Sequence, residues 1–232
     1  MNNRNIVIGI VALLLAGGGY YWYTAQNTVF TIDSHDEISS WDFQGSHNDD
    51  GDNEKRVTDE IDRLEDGLDD DATEPPDYQL YVGLAGQYML LGDGETAYKN
   101  LQKALEIDST TTGLAWHNMG VLMERLGAIN SARTAYQKAV DAQPEAESYH
   151  AALISFLIKH DTENGEVIQA AFARAESQFQ QNAFVYQAKA QWLEAQGMIS
   201  DAISAWEIFR ANSPADMKAS IDLHIEQLKK KL

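Results

Sequence analysis

The 232-residue chain contains no cysteine. That excludes disulfides, thiolate nucleophiles, cysteine-bearing zinc sites and a lipid-modified cysteine after a leader. Cations are scarce too, with 17 Lys and Arg against 36 Asp and Glu. Binding to nucleic acid needs basic side chains that displace phosphate counterions, and apart from Lys229-Lys230-Lys231 the sequence offers no basic patch. Catalytic signatures are missing as well. There is no G-x-x-x-x-G-K-[ST] phosphate loop and no G-x-S-x-G nucleophile turn. The six histidines (His35, His47, His117, His150, His160, His224) are scattered, and none has a second ligand at metal-binding helical spacing. The run Asp49-Asp50-Gly51-Asp52-Asn53-Glu54 fails as a calcium loop, because counting from Asp50 puts Lys55 where glycine belongs and Ile61 where the bidentate acid belongs. No catalytic, cofactor or metal site is predicted, and the chain reads as a non-enzyme.

The acidity is local. Between Asp33 and Asp77 there are 18 acidic and 3 basic residues, whereas from Tyr78 onward 18 acidic face 13 basic. Residues 26–77, rich in Asp, Ser, Asn and Gly, have the composition of a mostly disordered linker that cannot offset its ordering entropy by burial. Two features interrupt it. Trp41 and Phe43 form a small sticky point, and Val57, Ile61, Leu64 and Leu68 make one apolar stripe on a short helix near 54–69. That stripe predicts either a helix docked on the domain that follows or a self-associating or partner-binding helix; four apolar positions favour docking.

Ahead of this linker, Ile6 to Tyr23 is an 18-residue run without a charge, preceded by Arg4. As a helix it would span about 27 Å, close to a bilayer core of about 30 Å. Tyr20-Tyr21-Trp22-Tyr23 would then lie at the interface, where aromatic rings prefer to sit. Residues 1–25 therefore predict a transmembrane anchor; Ala16-Gly17-Gly18-Gly19 leaves open a cleaved signal peptide and a secreted product. In the anchored reading the flanking charges put the amino terminus in the cytoplasm and the remainder outside it, in the periplasm or extracellular space.

From residue 78 the pattern becomes periodic. Trp116, Met119 and Gly120, then Gly127, Ala132, Tyr136, Ala139 and Pro144, read as two helices joined by a glycine turn. Tyr81, Leu84, Ala85, Tyr88, Gly92, Ala97, Leu101 and Ala104 repeat the pattern upstream, and Tyr186, Ala190, Leu193, Gly197, Ala202, Trp206 and Pro214 repeat it downstream. A degenerate copy lies between, with His150, Leu153, Ile154 and Leu157 followed by Phe172 and Ala175. Ala104, Ala139, Ala175 and Phe209 mark a period of 34 to 36 residues. These residues resemble the tetratricopeptide repeat, whose units are helical hairpins of about 34 residues. The third unit departs from the pattern by inserting His160-Asp161-Thr162-Glu163-Asn164-Gly165 at its turn, and the fourth by placing Phe209 at a small-residue position.

The resemblance implies an all-α fold: a right-handed α-solenoid of about four hairpins at 78–112, 113–146, 147–182 and 183–212. A capping helix over 213–232 would follow, with Met217, Ile221, Ile225, Leu228 and Leu232 on one face. It further implies that the first helix of each hairpin lines a concave groove that takes a peptide or partner helix. Carried over, that groove holds Gln79, Val82, Gly86 and Met89, then His117, Val121, Glu124 and Arg125, and finally Gln187, Gln191 and Glu194. Ala151 and Ser155 would represent the third unit. The expected function is that of a membrane-anchored scaffold for protein partners in cell-envelope complex assembly. The alternative is a structural component that self-associates into a homo-oligomer through the linker helix or the solenoid ends.

Overall fold

The computed structural model describes residues 29–48, 51–68, 77–162, 164–180 and 182–232. The predicted anchor, residues 1–25, lies outside them, as does the Pro75-Pro76 end of the linker. Among the described residues no helix is long and apolar enough to cross a membrane. They form ten helices: α1 Asp52–Leu68, α2 Asp77–Leu91, α3 Gly94–Ile107, α4 Leu114–Arg125, α5 Ile129–Ala142, α6 Glu147–His160, α7 Gly165–Phe179, α8 Ala183–Ala195, α9 Ile199–Asn212 and α10 Ala215–Lys229. After α1 they follow one another as helical hairpins. Among the described residues two compact units result, one running up to Thr110 and taking in Leu114–Ser131, the other Thr111–Gly113 with Ala132–Leu232.

In the first unit, α1 settles between the two readings of its stripe. Val57, Ile61 and Leu64, spaced four and three residues apart, are buried against Leu80 and Leu84 of α2, with Leu68 partly buried beside them. Burying three aliphatic side chains contributes roughly 5–9 kcal/mol before ordering costs, which secures a helix that would be marginal alone. Tyr88 adds a hydrogen bond from its hydroxyl to Glu65 at 3.1 Å. Packed by α1 and α3, α2 has little solvent face to spare, and its sequence from Leu80 to Leu91 is apolar nearly all round.

The turn from α2 to α3 needs Gly92, whose φ of +89° is unfavourable for residues with a Cβ. A Cβ there would also lie 2.0 Å from the Phe43 carbonyl oxygen. The turn at Gly127 has φ +78° but open space around it, so it asks for conformation alone. Asp93 then caps α3 by accepting from the Thr96 amide at 2.9 Å.

Residues 29–48 differ from the expected tether. They lie as an extended strap on α3 and on the start of α5. Phe30, 3% exposed, meets Tyr98 and Trp116 at ring-centroid distances of 6.5 and 5.9 Å. Its amide donates to Gln102 Oε1 at 3.2 Å, and its carbonyl accepts from Gln102 Nε2 at 2.5 Å and Tyr98 Oη at 3.2 Å. Farther along, the Phe43 amide donates to Gly92 O, the Gly94 amide to Trp41 O and the His47 amide to Leu90 O, each at 3.0 Å. Trp41 packs on Tyr98 at 5.3 Å. Composition averaged over the acidic segment hides these few aromatics, and they are what offsets the cost of ordering.

In the second unit, Tyr136 of α5 stacks against Phe156 of α6 at 5.2 Å, and buried His150 places Nε2 3.0 Å from the Pro144 carbonyl. The inserted turn after α6 is held by Asp161, which pairs with Arg133 at 2.9 Å and whose carbonyl accepts from the Asn164 amide at 2.8 Å. Phe209 is buried edge-on against Trp206 at 5.5 Å. Helix α10 covers α9 through Ile221, Ile225 and Leu228, with an Arg210–Asp222 ion pair alongside. Met217 and Leu232, predicted on that face, are exposed at 40% and 77%, because Met217 lies in the first turn of α10 and Leu232 lies beyond its end at Lys229.

Candidate protein-binding faces

In the first unit the candidate residues come from α2 and α4, and burial divides them. Gln79 is exposed and Gly86 opens on empty space, since a Cβ there meets nothing within 4 Å. Val82 and Met89 are 7% and 8% exposed, so they belong to the packing rather than to an open surface. His117, Val121 and Glu124 are half-buried along one side of α4. Desolvation holds the His117 imidazole below its ordinary pKa, so the ring is neutral at pH 7. Arg125 is engaged with the strap. Its guanidinium lies 5.3 Å from the centre of the Phe43 ring, a cation–π contact, and Nη1 reaches the Met89 carbonyl at 3.5 Å.

In the second unit α6 and α8 together form a groove of about 540 Å3. Ile154, Ser155 and Ile158 line one wall, and Phe184, Ala188, Gln191 and Ala195 line the other. The α8 positions recur at intervals of four, three and four, so they share one helix face. Trp192 closes the floor and stacks on Phe172 at 5.8 Å, which fixes its ring. Gln191 and Ser155 are exposed at the lip and can hydrogen-bond a backbone laid across it. An apolar trough with a few amide and hydroxyl groups suits a peptide or helix better than a charged small molecule.

Two expectations change here. Glu194 points away from the groove: its carboxylate accepts from the Trp206 indole and lies 2.7 Å from His224 Nε2, bridging α9 and α10. One residue past Leu193, it is turned toward the second helix of its own hairpin. Gln187 and Ala151 are half-buried and do not line this groove. Phe184, Ala188 and Ile158, which the family pattern did not single out, do. Their spacing was visible, but α8 is apolar on its core side too, and periodicity alone does not separate core from groove on such a helix.

A family model described as tetratricopeptide repeat matches residues 78–145. No curated protein matches the chain. Among solved structures, one crystal structure of MamA is 18% identical with a TM-score of 0.50, covering 78% of this chain and 96% of its own. Another crystal structure of MamA protein is 17% identical with a TM-score of 0.52, covering 72% of this chain and 88% of its own. At that identity the likeness speaks for the fold. Residues 78–145 thus match the tetratricopeptide repeat, further helical hairpins follow them, and the chain is similar in fold to MamA.

Proposed function

We propose that this protein is a membrane-anchored scaffold whose first-helix faces capture a protein partner during assembly of a cell-envelope complex. Its mechanism is binding, with no bond made or broken. The observation that carries the reading is the groove between α6 and α8, apolar at the floor through Trp192 and Ile154 and polar at the lip through Gln191 and Ser155. The anchor rests on residues 6–23, and the placement of the repeats outside the cytoplasm rests on Arg4 and the acidic segment that flanks the run.

The test is photo-crosslinking from Ala195, an exposed position of the same groove, in native membranes, with capture of the adduct and comparison with the same probe in a Ser155→Arg, Gln191→Arg double variant. Both positions are exposed, so the variant folds like the parent. Loss of a specific adduct supports the groove, and an unchanged adduct sinks it. Self-association is the second reading. The α1 stripe is already covered by α2, so it rests on the far end of the array, where Met217 and Leu223 of α10 are 40% and 63% exposed. Sedimentation that stays monomeric at high concentration removes it.

A further inference from the structure

The strap that lies on the first unit occupies a groove type that recurs in the second, where no described residue covers it. Helix α3 begins at Gly94 and α7 at Gly165, α5 at Ile129 and α9 at Ile199. By this register Tyr98 and Gln102 correspond to Gln169 and Ala173, and Ser131 to Asp201; matching the positive-φ turns Gly127 and Gly197 pairs Trp116 with Tyr186. The first members of these pairs are the residues that hold Phe30 and the strap. All four counterparts line a single groove of about 730 Å3 between α7 and α9, floored by Tyr186, Trp192 and Leu193 of α8. Where the strap buries Gln102, Ala173 is exposed, together with Gln169 and Ala170.

The two grooves differ in charge at one telling place. In the first, α5 has no acid in its opening turn, and Asp36 of the strap supplies one. Its carboxylate accepts from the Asn130 and Ser131 amides at 3.1 and 2.7 Å. In the second, α9 carries its own acid, Asp201, at the position of Ser131. An anion is therefore already present at that helix start. Glu166 and Glu176 also line the groove, and its single cation, Lys189, is held by Glu176 at 2.6 Å. A second copy of the strap would bring Asp33, Asp36, Glu37 and Asp42 to this acidic wall without one Lys or Arg.

We propose that the α7–α9 groove docks an extended segment of a partner protein, anchored by an aromatic side chain where the strap has Phe30 and carrying Lys or Arg where the strap has Asp36. This site is on the second-helix face and shares only Trp192 with the α6–α8 groove. The aromatic packs over Tyr186, Gln169 and Ala173, and the cation meets Asp201 and Glu166.

The probe is a fluorescent peptide of residues 29–43 carrying Asp33→Lys, Asp36→Lys and Glu37→Lys, titrated by anisotropy into the 232-residue chain. The native-sequence peptide is the comparison. The lysine peptide binds, and Ala173→Arg, which puts a bulky cation on the exposed groove floor, weakens it by about tenfold or more. Asp201→Lys weakens the lysine peptide by roughly fivefold, as an exposed charge pair allows, and improves the native peptide. Gln191→Arg changes neither, which separates this site from the other groove. If the native peptide binds as well as the lysine peptide and Ala173→Arg abolishes both, the occupant is a second copy's strap and the basic-partner proposal is overturned. Absence of lysine-peptide binding, or binding indifferent to Ala173→Arg, overturns the site itself.

Discussion

Removing the Phe30 ring tests whether the strap is part of the folded unit. The ring is buried between Tyr98 and Trp116, so Phe30→Ala forfeits about 1.5–3 kcal/mol of burial and a further ~0.5–1.5 kcal/mol of ring–ring contact. Some of the gap closes when Tyr98 relaxes, which leaves an expected loss of about 2–4 kcal/mol in strap docking. The change falls on the strap, since the hairpin beneath keeps its own core of Leu80, Leu84, Leu101 and Leu105. Hydrogen exchange reads this directly, because the Phe43 and His47 amides are held by Gly92 and Leu90 carbonyls at 3.0 Å only while the strap is docked. Their exchange should accelerate by roughly 30- to 1000-fold, at 1.36 kcal/mol per tenfold, while amides in the middle of α2 and α3 stay protected. Unchanged exchange at Phe43 and His47 would mean that Phe30 does not anchor the strap, and the reasoning would fail.

The Asp36 carboxylate gives the strap a pH dependence. Burial alone would raise its pKa, but hydrogen bonds from Ser131 and Asn130 overcome that and hold it below the ordinary aspartate value. Being lowered in the folded state, it contributes stability that is fully present above the unfolded value of about 3.9 and is lost as pH falls through the folded value. The exchange rate of the Phe43 amide, corrected for intrinsic chemistry, should rise over that acid window in the parent and stay flat in Asp36→Asn. The two glycine turns separate conformation from contact. Gly127→Ala should cost about 1 kcal/mol for its positive φ. Gly92→Ala should cost more and should also release the strap, because its Cβ collides with the Phe43 carbonyl. Equal losses in thermal unfolding would refute the collision.

The sequence alone determined the hairpins, and the reason is local. Gly127 and Gly197 sit at positive φ between helices whose small and large residues alternate at fixed places, so each turn and each core face is written within about 34 residues. The α1 stripe was legible for the same reason, and docking on α2 is what covers it. Which residues are open to a partner was decided by tertiary structure. Val82 and Met89 sit at positions that the family pattern gives to a groove, yet neighbours bury them, and Arg125 is drawn to a ring 82 residues earlier in the chain. Glu194 shows the same limit, because its indole and imidazole partners come from α9 and α10. The strap is the clearest instance. Its aromatics are too few to show in composition or periodicity, and its hydrogen bonds go to residues up to 98 positions away. Long-range pairing of an irregular segment leaves no period in the sequence, so it was settled only when α3 and the start of α5 came together to receive it.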